Sequence, residues 1–88
     1  MKFETQSEKL FLDMILNKLR IYFEANGNVC VKTYDFFEIL DILEEMSPNG
    51  SIVYNLLMSL STMGYLHRWT SKTYKSDRWS PTEKLLQN

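Results

Sequence analysis

Residues 50–82 read GSIVYNLLMSLSTMGYLHRWTSKTYKSDRWSPT, and the reading of this stretch decides the fold. Ile52, Val53, Leu56, Leu57, Leu60 and Met63 recur at intervals of three and four, the spacing that collects side chains on one face of a helix. Gly64 follows at once, where a helix C-terminus favours a left-handed residue. Beyond it, Tyr65 to Thr70 is aromatic and extended, and Ser71 to Ser76 is polar and turn-like. A second extended segment, from Asp77 to Thr82, completes the pattern of a helix running into a short β-hairpin.

Working towards the N-terminus, Ser47-Pro48-Asn49-Gly50 reads as a turn, because Pro fixes one dihedral and Asn and Gly tolerate left-handed geometry. Before it lies a second helix, capped by Thr33 or Asp35, with Phe36, Phe37, Ile39, Leu40, Leu43 and Met46 on its buried side. Val29 to Lys32 is short, β-branched and alternating, which predicts a strand able to pair with the hairpin. Cys30 within it reads as a small buried hydrophobe. The first helix starts at the capping box Thr5-Gln6-Ser7-Glu8, carries Leu12, Ile15, Leu16, Leu19, Tyr22 and Phe23 inwards, and stops at Asn26-Gly27-Asn28. Phe11, Met14 and Ile21 widen its apolar arc, either as a dimer seam or as extra wrapping of the core. After the hairpin, Thr82 to Gln87 forms a last helical turn that packs Leu85 and Leu86 on the body.

The quoted residues resemble the second half of a winged helix-turn-helix domain. Tyr54, Leu57, Leu60, Gly64, Tyr65 and Leu66, then Arg78 and Pro81-Thr82-Glu83-Lys84, follow the pattern of regulators of the phenolic acid decarboxylase and multiple antibiotic resistance types. Pro81 stands where those families usually carry Leu, and no Gly follows Lys84. The resemblance implies an α+β, mainly α, fold of three helices and a small β-hairpin wing, spanning residues 1–88 as a single domain. It also implies a transcription regulator that binds duplex DNA. Ser51, Tyr54, Asn55, Ser59 and Thr62 would lie on or near the exposed side of the third helix, in the major groove, with Arg68, Lys72, Lys75 and Arg78 of the wing on phosphates.

Charge and composition narrow the alternatives. The 88 residues carry a formal charge of -1, and 44% hydrophobic content suffices for one core, so disorder is not expected. Residues 33–46 hold Asp35, Glu38, Asp41, Glu44 and Glu45 with no base, residues 47–64 hold no charge, and the basic residues Arg68, Lys72, Lys75, Arg78 and Lys84 dominate the C-terminal quarter. Polyanions are expected at the wing alone. A single cysteine allows no intrachain disulfide, and His67 is the only histidine, so neither a zinc site nor a catalytic triad is expected. No cofactor and no enzymatic activity are expected. Neither a signal peptide nor a membrane-spanning run is read, which predicts a cytoplasmic protein.

Two further readings stay open. Tyr65, Trp69, Tyr74 and Trp79 interleave with basic residues and either stack single-stranded bases or, more simply, set Trp69 against Trp79 across the hairpin. The alternative to a DNA-binding homodimer joined through the first helix is an adaptor or inhibitor of phage or plasmid type. Such a protein would dock its partner on the acidic second helix and the neutral third.

Overall fold

In a computed structural model that describes residues 6–46, 50–72 and 77–87, the chain is α+β and mainly helical. The capping box at Thr5, the turn residues Ser47, Pro48 and Asn49, and Tyr74 and Lys75 of the hairpin tip lie outside those residues. Helix α1 (Gln6–Asn26) is followed by strand β1 (Val31–Lys32), a 3-10 turn (Thr33–Asp35) and the short helix α2 (Phe36–Ile39). A second 3-10 turn (Glu44–Met46) precedes α3 (Ser51–Thr62), which leads to β2 (Leu66–Trp69), β3 (Arg78–Pro81) and α4 (Glu83–Leu86).

The sheet is antiparallel in the order β1-β3-β2, so β3 lies at its centre. Val31 pairs with Trp79 and Lys32 with Arg78 on one side, while Arg68 pairs with Trp79 and Trp69 with Arg78 on the other. Because side chains alternate across a strand, this register sends Val31, Leu66 and Trp79 into the core and Lys32, His67, Trp69 and Arg78 to solvent. The core joins those inward residues to Ile15, Leu16, Leu19 and Phe23 of α1, Phe36 and Phe37 of α2, Val53, Leu57 and Leu60 of α3, and Leu85 of α4. Among the described residues, no helix is long and apolar enough to cross a membrane.

The end of α3 follows from Gly64. With φ at 88°, Gly64 donates its N–H to the Ser61 carbonyl, and the next N–H, of Tyr65, reaches back to Leu60 at 2.9 Å. These two bonds satisfy carbonyls that the helix end would otherwise leave unpaired, and they turn the chain directly into β2. Thr82 locks the junction, donating its hydroxyl to the Gly64 carbonyl at 2.6 Å while accepting the Leu85 N–H that starts α4.

Several expectations are corrected. The second helix does not reach Met46, because Asp41 adopts a left-handed φ of 56°. Its N–H bonds to the Glu38 carbonyl and the Ile42 N–H to Phe37, the same closing pattern that Gly64 makes. Leu43 and Met46 are thereby left exposed. Neither Thr33 nor Asp35 caps α2 through its side chain, since the Thr33 hydroxyl is occupied by Trp79 and the Asp77 carbonyl. Cys30 is exposed rather than buried: pairing begins at Val31, whose side chain takes the inward position, so its neighbour does not. Ile52 and Leu86 are exposed as well, each at the outer edge of its helix's apolar arc. Trp69 and Trp79 do not face each other, because they occupy adjacent registers on opposite faces of the sheet.

Gly50 and Gly64 both hold left-handed backbone, yet their surroundings differ. A Cβ on Gly64 meets only the flexible Lys84 side chain at 3.6 Å, whereas one on Gly50 lies 3.2 Å from the Tyr34 ring. Gly64→Ala is expected to cost about 1–2 kcal/mol from backbone strain alone. Gly50→Ala adds a steric conflict with Tyr34 and is expected to cost more, a difference that paired urea titrations measure directly.

Candidate nucleic-acid interface

The basic hairpin divides its cations between two faces of the sheet. Arg68 turns inwards, where its Nε donates to Asp77 Oδ2 at 2.7 Å and its Nη2 to the Tyr54 hydroxyl at 2.7 Å. The guanidinium also lies over the Tyr54 ring at 5.6 Å and the Trp79 ring at 6.0 Å. Asp77 is 1% exposed, and its other carboxylate oxygen accepts the Ser71 N–H at 3.0 Å. The Asp77 carbonyl accepts from the Thr33 N–H and hydroxyl, and the Thr33 hydroxyl in turn accepts the Trp79 indole N–H at 2.9 Å. A continuous polar chain thus ties the start of the second helical segment, the base of the hairpin and α3 together. Among the described residues no buried side-chain nitrogen or oxygen lacks a partner.

Other cations are also engaged in holding the fold. Lys84 donates to the Met63 carbonyl at 2.6 Å and lies 4.6 Å from the centre of the Tyr65 ring, closing the end of α3. Arg20 donates to the Leu85 carbonyl at 2.6 Å, which fastens α4 to α1. Lys18 pairs with Asp41, drawing one carboxylate of the acidic segment towards α1. Lys32, Lys72 and Arg78 are exposed, and no carboxylate pairs with them among the described residues.

The expected contact residues therefore separate into groups. Ser51 and Asn55 are exposed on α3 with Thr62, and Ser59 is half-buried. Tyr54 is half-buried, and its hydroxyl serves Arg68. Arg68 had been expected on phosphates, but a buried carboxylate nine residues further along the chain, at Asp77, holds it instead. Lys72 and Arg78 remain open, and Lys75 lies outside the described residues. Lys32, absent from the expected set, joins them because β1 pairs with β3 directly opposite Arg78. The signal for it was present in the strand phase: once Val31 faces the core, Lys32 must face the same way as Arg78.

Acidic charge collects elsewhere. Asp35 and Glu38 line a shallow groove with Tyr22 and Ile39 where α2 meets α1. No three His, Cys, Asp or Glu side chains among the described residues come together as metal ligands. Comparison with protein-family models, with curated proteins and with solved structures finds no match to this chain.

The two partners of the buried pair are unequal in their access to water. Asp77 has essentially no exposure, while the Arg68 side chain keeps 28%. Arg68→Met strands a buried carboxylate and is expected to destabilise the protein by roughly 3 kcal/mol. Asp77→Asn leaves a guanidinium that can turn to solvent and retains an acceptor for Ser71, so it is expected to cost less. Urea titration of both variants, with equal m-values, provides the check.

Proposed function

We propose that the protein is a winged-helix domain that binds duplex DNA, with α3 in the major groove and the hairpin along the phosphate backbone. The element order and the sheet order β1-β3-β2 support this reading. The observation that carries it is the set of open cations Lys32, Lys72 and Arg78 on and beside the sheet, next to a helix whose exposed Ser51, Asn55 and Thr62 bring no negative charge. Asn suits adenine in the groove, hydroxyls suit base edges or phosphates, and Lys and Arg supply the counterion-releasing contacts.

The three open cations among the described residues bind weakly by themselves, so the reading includes a homodimer. Leu10, Phe11, Met14 and Ile21 support it as an exposed apolar face along α1, opposite the buried Ile15, Leu16, Leu19 and Phe23. Burying such a face against a second copy removes it from water and doubles the phosphate contacts. A second reading has its own support. Exposed Leu43, Met46 and Ile52 accompany Glu44 and Glu45, a composition that suits a partner protein with apolar and basic groups and that DNA would avoid.

Fluorescence anisotropy with random-sequence duplex DNA at two salt concentrations tests the main reading. With about three phosphate contacts, affinity is expected to fall about twentyfold between ~50 and ~150 mM salt, and several hundredfold if a dimer doubles those contacts. Arg78→Glu is expected to weaken binding for all sequences and to reduce the salt slope. Absence of duplex binding at low salt would leave the protein-partner reading in its place. Sedimentation is expected to give twice the chain mass, and Met14→Glu with Ile21→Glu to give a monomer.

A further inference from the structure

We infer that the solvent face of the three-stranded sheet is a stacking platform for single-stranded nucleic acid, which shares its cations with the duplex reading but does not use α3. Trp69 is 51% exposed there, although it sits in a regular strand of a small domain with a core available to it. It is not a loose side chain. Its indole N–H donates to the Ser80 hydroxyl at 2.9 Å, and the His67 ring meets it edge-on with centroids 4.3 Å apart. A held aromatic surface loses little rotamer freedom when a flat ligand covers it.

The charges around this aromatic pair select the ligand. Lys32, Arg78 and Trp69 occupy one row across the three strands, with Arg78 paired to both neighbours, and Lys72 lies exposed three residues beyond the end of β2. None of the three strands contains a carboxylate, and the nearest acid in the hairpin, Asp77, is buried against Arg68. Cations flanking an exposed aromatic fit a polyanion that also carries flat apolar groups. Nucleic acid has that chemistry, and only an unpaired strand can offer a base face, because duplex bases stack on one another. The internal commitment of Arg68 sharpens the division: the inward cation builds the hairpin, and the outward ones flank the platform.

Tryptophan fluorescence tests this, since the chain has two tryptophans and Trp79 is fully buried. Titration with 12-nucleotide oligo(dT) or oligo(U) is expected to quench the Trp69 emission, with duplex of equal length quenching it less. Trp69→Ala, which leaves the core untouched, is expected to weaken oligo(dT) binding about tenfold while far-UV circular dichroism is unchanged, and Trp69→Phe to restore most of the affinity. Arg78→Glu with Lys32→Glu is expected to abolish it. Failure of the oligonucleotides to quench, or equal affinity of wild type and Trp69→Ala, would overturn the inference. Ser51→Ala with Asn55→Ala separates it from the duplex reading: loss of duplex binding with oligo(dT) binding intact supports a platform that does not need α3. Parallel loss of both would place single strands on α3 and overturn the platform.

Discussion

A carboxylate with almost no access to water fixes the shape of the hairpin. Asp77 begins the descent into β3, and removing its charge from solvent is unfavourable unless donors surround it. Arg68 and the Ser71 amide supply those donors from the other side of the loop. Arg68, Ser71 and Asp77 are thus held together by charge-assisted bonds. Arg68 then extends the constraint to α3 through the Tyr54 hydroxyl, and Asp77 extends it to the first 3-10 turn through Thr33. Sheet, helix and the start of the second helical segment share one polar network beneath Trp79, whose indole closes the chain of bonds at Thr33. Polar networks of this kind specify a unique packing when every member is satisfied.

That constraint also sorts the positive charge. In a hairpin with a solvent-facing Arg68, all its cations would be available to a polyanion. The alternation of β2 instead places Arg68 beside Trp79 and leaves Trp69 and His67 on the outer face, with Arg78 across the register. Lys84 and Arg20 are similarly committed to backbone carbonyls at the ends of α3 and α4. A net charge of -1 therefore conceals a small basic surface built from Lys32, Lys72 and Arg78, apart from the acidic groove formed by Asp35 and Glu38.

Much of the fold was legible because local signals and tertiary packing agree. The three-and-four spacing of Val53, Leu57 and Leu60 and the helix stop at Gly64 are local, and the junction into β2 appears where they put it. Strand β1 was legible from Val31 and Lys32, although shorter than the β-branched run. The length of α2 was not legible. Leu43 and Met46 keep a helical period, but Asp41 takes a left-handed conformation that asparagine and aspartate tolerate better than most residues, and nothing local distinguishes that from a helical Asp. For the candidate site, the exposed Ser51 and Asn55 and the open Lys72 and Arg78 were anticipated, whereas the inward turn of Arg68 depends on strand phase and on a partner nine residues away. The same phase decides Cys30, Lys32 and the two tryptophans; a shift of one residue would exchange their faces.

A double-mutant cycle on Arg68 and Asp77 tests the central claim most directly. Stabilities of wild type, Arg68→Met, Asp77→Asn and the double variant are compared under one buffer condition. If the buried pair organises the hairpin, the double variant loses less than the sum of the singles, with a coupling of at least about 1.5 kcal/mol. Coupling within about 0.5 kcal/mol of zero would mean that the two side chains act independently, and would contradict the account.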